Sequence, residues 1–316
     1  MKVLVTGGCG FIGSHVVDWL LDRDYEVVVL DNLSTGRAEF LKLDHPNLKL
    51  YRGDCMDLAA VTNAMRGCQQ VFHLQANADV RGGRDNTGRD MDQNVKTTWN
   101  VLEAMRMQKN PVESIAFASS AVVYGEPDVF PTPETYSGQQ TSLYGATKLA
   151  CESMIQAYAA YFGFGYNIFR FVSWIGEHYT HGVIFDFVKQ LTQTSNYLEV
   201  LGDGLQEKSY LYVADGVAAV MAVPYGPSAR GIYNIGHDES VAVRELAHVV
   251  IDEMGSGEVS ISFGNTRRGW IGDAPVVRLD TSRLKVTGWK PQVSIADGIR
   301  RTVRFLKANP HLLKRA

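Results

Sequence analysis

Lys2-Val3-Leu4-Val5-Thr6-Gly7-Gly8-Cys9-Gly10-Phe11-Ile12-Gly13 opens the chain, and its reading decides the fold. An apolar, β-branched run ends in closely spaced glycines, and an amphipathic stretch, Ser14–Arg23, follows at once. Glycines so placed let the backbone turn tightly, approach a pyrophosphate, and pack a helix on a sheet. A helix opening there offers unpaired N–H groups and the positive end of its dipole to phosphate. The stretch predicts a strand, a phosphate-binding loop and a helix.

Working outward, the strand candidates Glu26–Asp31, Leu48–Arg52, Gln70–Leu74 and Ser114–Ala118 alternate with helical patterns at Leu58–Met65, Asp92–Gln108 and Ser142–Phe162. A further strand, Tyr166–Val172, follows the last helix. This alternation predicts an α/β protein, a Rossmann-type doubly wound parallel sheet covered on both faces. Beyond it the pattern loosens into short strands, Gly-rich turns and a few helices. We read residues 1–172 as the dinucleotide-binding domain, which later strand and helix segments can rejoin. Residues 173–316 are mainly a smaller α/β substrate lobe, and no linker, low-complexity tract or repeat divides them.

The 316 residues are 45% hydrophobic and 21% charged, with a formal net charge of −3. That balance gives no basic field for nucleic acid or an anionic membrane. An anionic ligand must therefore be held locally, by loops, helix ends and a few cations. No run is apolar for long enough to be a signal-peptide core or a membrane span. Cys9, Cys55, Cys68 and Cys151 show no metal-ligand spacing, so we expect no metal and reduced thiols in a cytoplasmic protein.

Asp31 ends the second strand, eighteen residues after Gly13. A carboxylate there accepts both adenosine ribose hydroxyls and repels the extra phosphate of NADP, so NAD is the expected cofactor. Arg37, just beyond Asn32-Leu33-Ser34-Thr35-Gly36, is a cation that would tolerate such a phosphate.

Tyr144-Gly145-Ala146-Thr147-Lys148 carries the chemistry, together with Ser119-Ser120 at the end of the fifth strand. Tyr and Lys at i and i+4 project from one helix face. Tyrosine, with a reference pKa of roughly 10, is a poor base at neutral pH. A neighbouring ammonium and a positively charged nicotinamide would stabilise its phenolate. Taken alone, such a helix pair is common in any protein. Beside a dinucleotide loop and strand-end serines it reads as a catalytic set, in which a serine hydroxyl holds the substrate oxygen.

The opening, Asp31–Gly36, Gly53-Asp54, His73-Leu74-Gln75-Ala76 and Asn94 resemble the extended short-chain dehydrogenases, specifically the UDP-glucose 4-epimerase branch. The resemblance covers nearly the whole chain. It implies a cofactor site made of Gly7, Gly10, Phe11, Ile12 and Gly13, of Asp31, Asn32, Ser34, Thr35 and Gly36, and of Asp54 and Cys55 by the adenine. Leu74, Gln75 and Ala76 would pass the ribose and nicotinamide, with Asn94, Ser119, Tyr144, Lys148 and Val172 completing the set. Gln75 stands where the family usually carries alanine. The resemblance makes Ser120 the catalytic hydroxyl, ahead of Ser119. Related dehydratases carry an Asp-Glu pair just after that hydroxyl, and related decarboxylases a glutamate at the second place. Here these are Ala121 and Val122, which neither give nor take a proton.

For the substrate, the resemblance implies contacts from Ser120, Tyr144 and Ser173, which replaces a family asparagine. Gly182 and Val183 would present N–H groups to phosphate, and Glu199 and Leu201 would flank the uracil. Lys208 stands in place of an arginine, and Arg268 and Asp273 would close over diphosphate and ribose. Val277 matches a position that is a bulky tyrosine in epimerases restricted to unsubstituted hexoses, so the N-acetylated sugars are expected to fit. The family also implies a homodimer, formed by the two long helices.

The expected activity is NAD-dependent epimerisation at C4 of a nucleotide hexose, either UDP-glucose/UDP-galactose or UDP-GlcNAc/UDP-GalNAc. A nucleotide-sugar reductase or 2-epimerase would reuse the same residues. A silent NAD-binding regulator would be expected to lose the Tyr–Lys pair, which is present.

Overall fold

A computed structural model describes residues 1–77 and 79–314. Seven parallel strands form the central sheet: β1 (Lys2–Thr6), β2 (Glu26–Asp31), β3 (Leu48–Arg52), β4 (Gln70–His73), β5 (Ser114–Ser120), β6 (Gly165–Phe171) and β7 (Arg230–Ile235). Their order across the sheet is β7-β6-β5-β4-β1-β2-β3. The sequence direction reverses between β1 and β4, and ligands bind such sheets at this switch point, beyond the carboxyl ends of the strands.

Val3, Leu4 and Val5 of β1 are fully buried, as a central strand covered on both faces requires. One face is covered by α1 (Phe11–Leu21), which buries Val16, Val17 and Leu20. The other carries α2 (Leu58–Ala64), α3 (Thr97–Met107) and α4 (Leu143–Phe162). The doubly wound α/β fold expected from the alternation is the fold observed.

Local boundaries differ from the sequence reading in ways that matter for the site. Helix α1 begins at Phe11 rather than Ser14, because Gly10 is its N-cap and the Ser14 N–H already donates to the Gly10 carbonyl at 3.0 Å. Strand β5 runs on through Ser119 and Ser120, paired with Arg170 and Phe171 of β6. Ahead of α3, Met91–Lys96 is a π-helical stretch, a local widening that buries Asn94.

After β6 the chain builds short sheets outside the main one. Ser173–Ile175 pairs with Tyr210–Tyr212, and Tyr197–Val200 with Ser260–Phe263. Glu207–Lys208 lies between Val241–Ala242 and Val276–Val277. Three amphipathic helices, α5 (Val183–Gln193), α6 (Val213–Met221) and α7 (Val243–Met254), and the long α8 (Ile295–Ala308) complete this half. Their apolar faces join the residues under α1 in one contiguous core, from Val3 to Leu313.

Candidate active site

The cofactor side is built where β1 meets α1. Gly7 sits at φ +70°, and a Cβ there would stand 2.8 Å from the Gln75 backbone nitrogen. A Cβ on Gly13 would overlap the Gly7 carbonyl oxygen and the Gly8 Cα. Side chains at either place would break the close packing of the loop on the end of β4 and of α1 on the loop, the packing that sets the backbone where a pyrophosphate can approach it. Phe11 is buried edge-on to Tyr179 at 5.5 Å, and Ile12 is half-buried next to it in the chain.

Asp31 is almost fully buried at the end of β2. Its carboxylate accepts the Cys9 N–H at 2.9 Å and the Leu33 N–H at 2.8 Å. Burial raises its pKa above the ordinary carboxylate value, while those two donors pull the other way. Gly36 presses against the Asp31 carboxylate and Cys9, so the segment holding Asn32, Ser34 and Thr35 folds back over the strand end. Gly7, Asp31, Asn32, Asp54, Cys55 and Gln75 line one pocket here, brought together from four strand ends. Arg37 lies 3.6 Å from Glu39. A pinned carboxylate at the end of β2 and a glycine loop packed too closely for any Cβ at Gly7 or Gly13 fit a dinucleotide, for which Gly7–Gly13 would hold the pyrophosphate and Asp31 the ribose.

The residues expected to carry the chemistry lie at the end of β5 and the start of α4. Ser142 caps α4 by accepting the Gly145 N–H at 3.0 Å, which starts the helix one residue before Tyr144. Lys148 is 1% exposed, donates to the Ala118 carbonyl at 2.8 Å, and holds its ammonium 5.8 Å from the centre of the Tyr144 ring. Burial pushes the Lys148 ammonium down to about 8. Burial, with the nearby Asp90 carboxylate, raises the Tyr144 hydroxyl above its ordinary range. To act as a base near neutrality, Tyr144 would need added positive charge.

The two serines separate. Ser119 is buried and donates to Glu152 at 2.5 Å, whereas Ser120 is half-buried and its hydroxyl oxygen accepts the Val122 N–H at 3.3 Å. Val122 packs on Gly145, so the position that follows the Ser120 turn is apolar and adjoins Tyr144.

The residues expected to contact substrate lie on several elements of the C-terminal half. Lys208 pairs in register with Val277 and donates to Asp273 and the Ala274 carbonyl, both at 2.5 Å. Arg268 makes a bidentate pair with Glu126. Gly272 lies against the Thr141 carbonyl and Ser142, which sets this loop beside the start of α4. Leu201 is half-exposed next to Gly269, and the Glu199 N–H donates to Gln190 at 3.0 Å. Gly182, at φ +104°, precedes α5, whose first residue is Val183. Ser173 is exposed directly after the buried Val172 at the end of β6.

Other expected cofactor residues turn toward the scaffold. The Asn94 side chain accepts the Asn77 N–H at 3.1 Å and donates to Thr147 at 3.0 Å, tying the π-helical stretch to α4. Leu74 and Ala76 are half-buried past β4, with the Leu74 N–H donating to Thr6.

Several residues at the site escaped the sequence reading. Glu152 and Arg170 form a buried bidentate pair under the β5 end, at 2.7 and 3.0 Å. Glu152 falls four residues after Lys148, on the same helix face, and that spacing was the available signal. Nothing local marks Glu126 as the partner of Arg268, or Asp90 as the carboxylate beside Tyr144.

The model of the NAD dependent epimerase/dehydratase family matches residues 3–236. UDP-glucose 4-epimerase of Mycolicibacterium smegmatis is 32% identical, over 97% of this chain and 99% of that protein. UDP-glucuronic acid decarboxylase 6 of Arabidopsis thaliana is 31% identical, over 95% of this chain and 87% of that protein. The crystal structure of the Thermus thermophilus UDP-glucose 4-epimerase in complex with NAD superposes with a TM-score of 0.86 at 32% identity, covering 97% of this chain and 99% of that one. With the glycine cradle, the pinned Asp31 and the Tyr144–Lys148 helix in place, the chain belongs to the NAD dependent epimerase/dehydratase family, and it is an NAD-dependent enzyme.

Proposed function

We propose that this enzyme interconverts the C4 epimers of a UDP-activated hexose, with or without a 2-N-acetyl group, through a 4-keto sugar. The observation that carries the reading is the constellation of Ser120, Tyr144 and Lys148 with Ala121 and Val122 beside it. Loss of water or of carbon dioxide from the 4-keto sugar calls on a further acid or base at C5 and C6, beyond the ketone, and both positions that would supply it here are apolar. Relatives that decarboxylate share the fold, so the distinction rests on these two side chains.

NAD, when bound, supplies a hydride acceptor that carries positive charge. Tyr144 takes the proton of the C4 hydroxyl, and Ser120 holds the same oxygen by its hydroxyl. The Lys148 ammonium stabilises the phenolate. The ketone then turns over in the pocket, is reduced on its opposite face, and recovers its proton from Tyr144. For this the nucleotide must be gripped and the sugar left loose, a division that suits Lys208, Arg268 and Asp273 on the diphosphate side, around a lobe taken mainly from 173–316.

The same reading carries a homodimer. Met56, Met91, Val95, Trp99 and Met154 line an open apolar groove between α3 and α4, with Met91 54% exposed. Four buried, unpaired cysteines accord with a reducing, cytoplasmic setting.

Proton NMR of the purified enzyme with UDP-glucose, and separately with UDP-GlcNAc, and no added reductant, tests the activity. The C4 epimer should appear at equilibrium, and Tyr144→Phe should abolish it. A protein that retains NAD yet turns over neither sugar would overturn the reading.

A further inference from the structure

A buried carboxylate behind the start of α4 has no cation paired with it. Asp90 is fully buried at the end of the short helical turn Gly88–Asp90, just ahead of the π-helical stretch. Its Oδ1 accepts the Asn77 side-chain amide at 2.8 Å and that of Asn94 at 3.4 Å. Asn94 also donates to the Thr147 hydroxyl, which donates in turn to the Tyr144 carbonyl at 2.9 Å. The other oxygen, Oδ2, is buried with no hydrogen-bond partner among the described residues. A Cβ on Gly83 would stand 2.7 Å from that oxygen and 3.8 Å from the Leu143 Cβ. Oδ2 therefore lies beside the first residue of α4, the one that precedes Tyr144.

The charges around it leave one match. Lys148 is buried, donates to the neutral Ala118 carbonyl, and forms no ion pair among the described residues. A buried ammonium calls for a counter-charge. Three acidic groups act on it: Cys151, Glu152 and Asp90. Burial raises the Cys151 thiol pKa, which keeps it neutral, and Glu152 is already matched by the Arg170 fork. On the segment around Asp90, the side chains of Arg81, Arg84, Asp85, Arg89 and Asp92 are exposed. Arg81 pairs there with Asp186, and Arg89 with Asp79. Within the protein, the Asp90 charge is felt by Tyr144 and Lys148.

We propose, on the reading of Tyr144 as the base, that Asp90 is a positioning residue acting through the Tyr144–Lys148 pair: its carboxylate is the counter-charge of the Lys148 ammonium and sets how firmly the pair holds its proton. Removing a negative charge makes a nearby proton easier to lose, so without Asp90 the pair should ionise at lower pH.

Asp90→Asn keeps an oxygen for the Asn77 and Asn94 amides while removing the charge, and Asp90→Ser removes it with a smaller side chain. Each holoenzyme, and that of wild type, is titrated by its ultraviolet phenolate band, with the Tyr144→Phe counterpart subtracted, and kcat is followed against pH. The Tyr144 midpoint and the acid limb of kcat should fall together by about half to one pH unit, roughly a three- to ten-fold loss of proton affinity. A midpoint that stays or rises in both variants overturns the proposal even if kcat drops, since disturbed hydrogen bonds alone would slow turnover without moving the titration. Loss of the fold or of NAD from both variants also overturns it and makes Asp90 a structural support. The absorbance titration needs no turnover. A lowered midpoint in an enzyme that epimerises neither sugar would support the role of Asp90 and remove the epimerase reading instead.

Discussion

Ser119 and Ser120 are neighbours in sequence, yet Ser119 donates its proton to Glu152 beneath the sheet end while Ser120 stays half-buried at the mouth of the site. The division follows from the strand's period of two, which sends adjacent side chains to opposite faces. Ser120→Ala should lower kcat by about 10²- to 10⁴-fold with bound NAD retained. Ser119→Ala should leave kcat within a few-fold and cost about 1 kcal/mol of stability. Steady-state kinetics and denaturant melts of the two variants check this, and equal kinetic losses would remove the distinction.

Glu152 and Arg170 are 1% and 7% exposed in their side chains, so neither charge is tolerable alone. Arg170→Met should destabilise the fold by about 3–5 kcal/mol, because it strands a buried carboxylate. Adding Glu152→Met should recover much of that loss. A double-mutant cycle in urea measures it, and additive losses would show that the pair is not the source.

His73 is fully buried, 2.7 Å from the Thr6 hydroxyl and 3.0 Å from that of Thr98. Burial, aided by the Lys148 charge, pushes its pKa down to about 3. The unfolded chain, with a histidine pKa near 6.5, therefore binds more protons than the native state at every pH between these values. Stability contributed by the neutral ring is present above pH ~6.5 and is lost as pH falls toward 3. Wild type should lose about 2 kcal/mol more than His73→Gln between pH 7 and pH 5, by denaturant midpoints. Parallel pH profiles would refute the assignment.

Val277 pairs with Lys208, whose ammonium holds Asp273, so its side chain is fixed next to the proposed diphosphate clamp. On the epimerase reading, Val277→Tyr should reduce turnover of the N-acetylated sugar by at least about ten-fold while sparing the unsubstituted hexose. A coupled assay with both substrates decides it, and loss of both activities together would show that position 277 does not discriminate.

How much of this could be read from the residues depends on how local each feature is. Strand β1 and its glycine loop were legible because apolar runs and glycines at fixed spacing act within a dozen residues. The Tyr144–Lys148 pair was legible for the same reason, since helix periodicity fixes the relative position of its members. The partnership of Arg268 with Glu126 spans 142 residues and depends on how two loops meet. The Thr6–His73–Thr98 chain likewise joins two strands and a helix that only the folded sheet brings together. Sequence alone starts α1 three residues late, because the first turn is made by the loop's own glycine cap. Gln75 was visible as a departure from the family pattern, but its unpartnered oxygen emerges only once Gln93 is in place.

Strand β7 pairs with β6 along its whole length, from Arg230 beside Tyr166 to Ile235 beside Phe171. During synthesis, β6 therefore leaves the ribosome with one edge open and waits for nearly sixty residues before its neighbour arrives. At about 5–20 residues per second, that wait lasts several seconds. Until then the nascent sheet offers an apolar, unpaired border to any other strand nearby, a hazard that falls on a growing chain and vanishes once it is complete. The same border would reappear in any fragment cut after residue 172, so the dinucleotide-binding half is a poor candidate for separate expression or for grafting onto another substrate lobe.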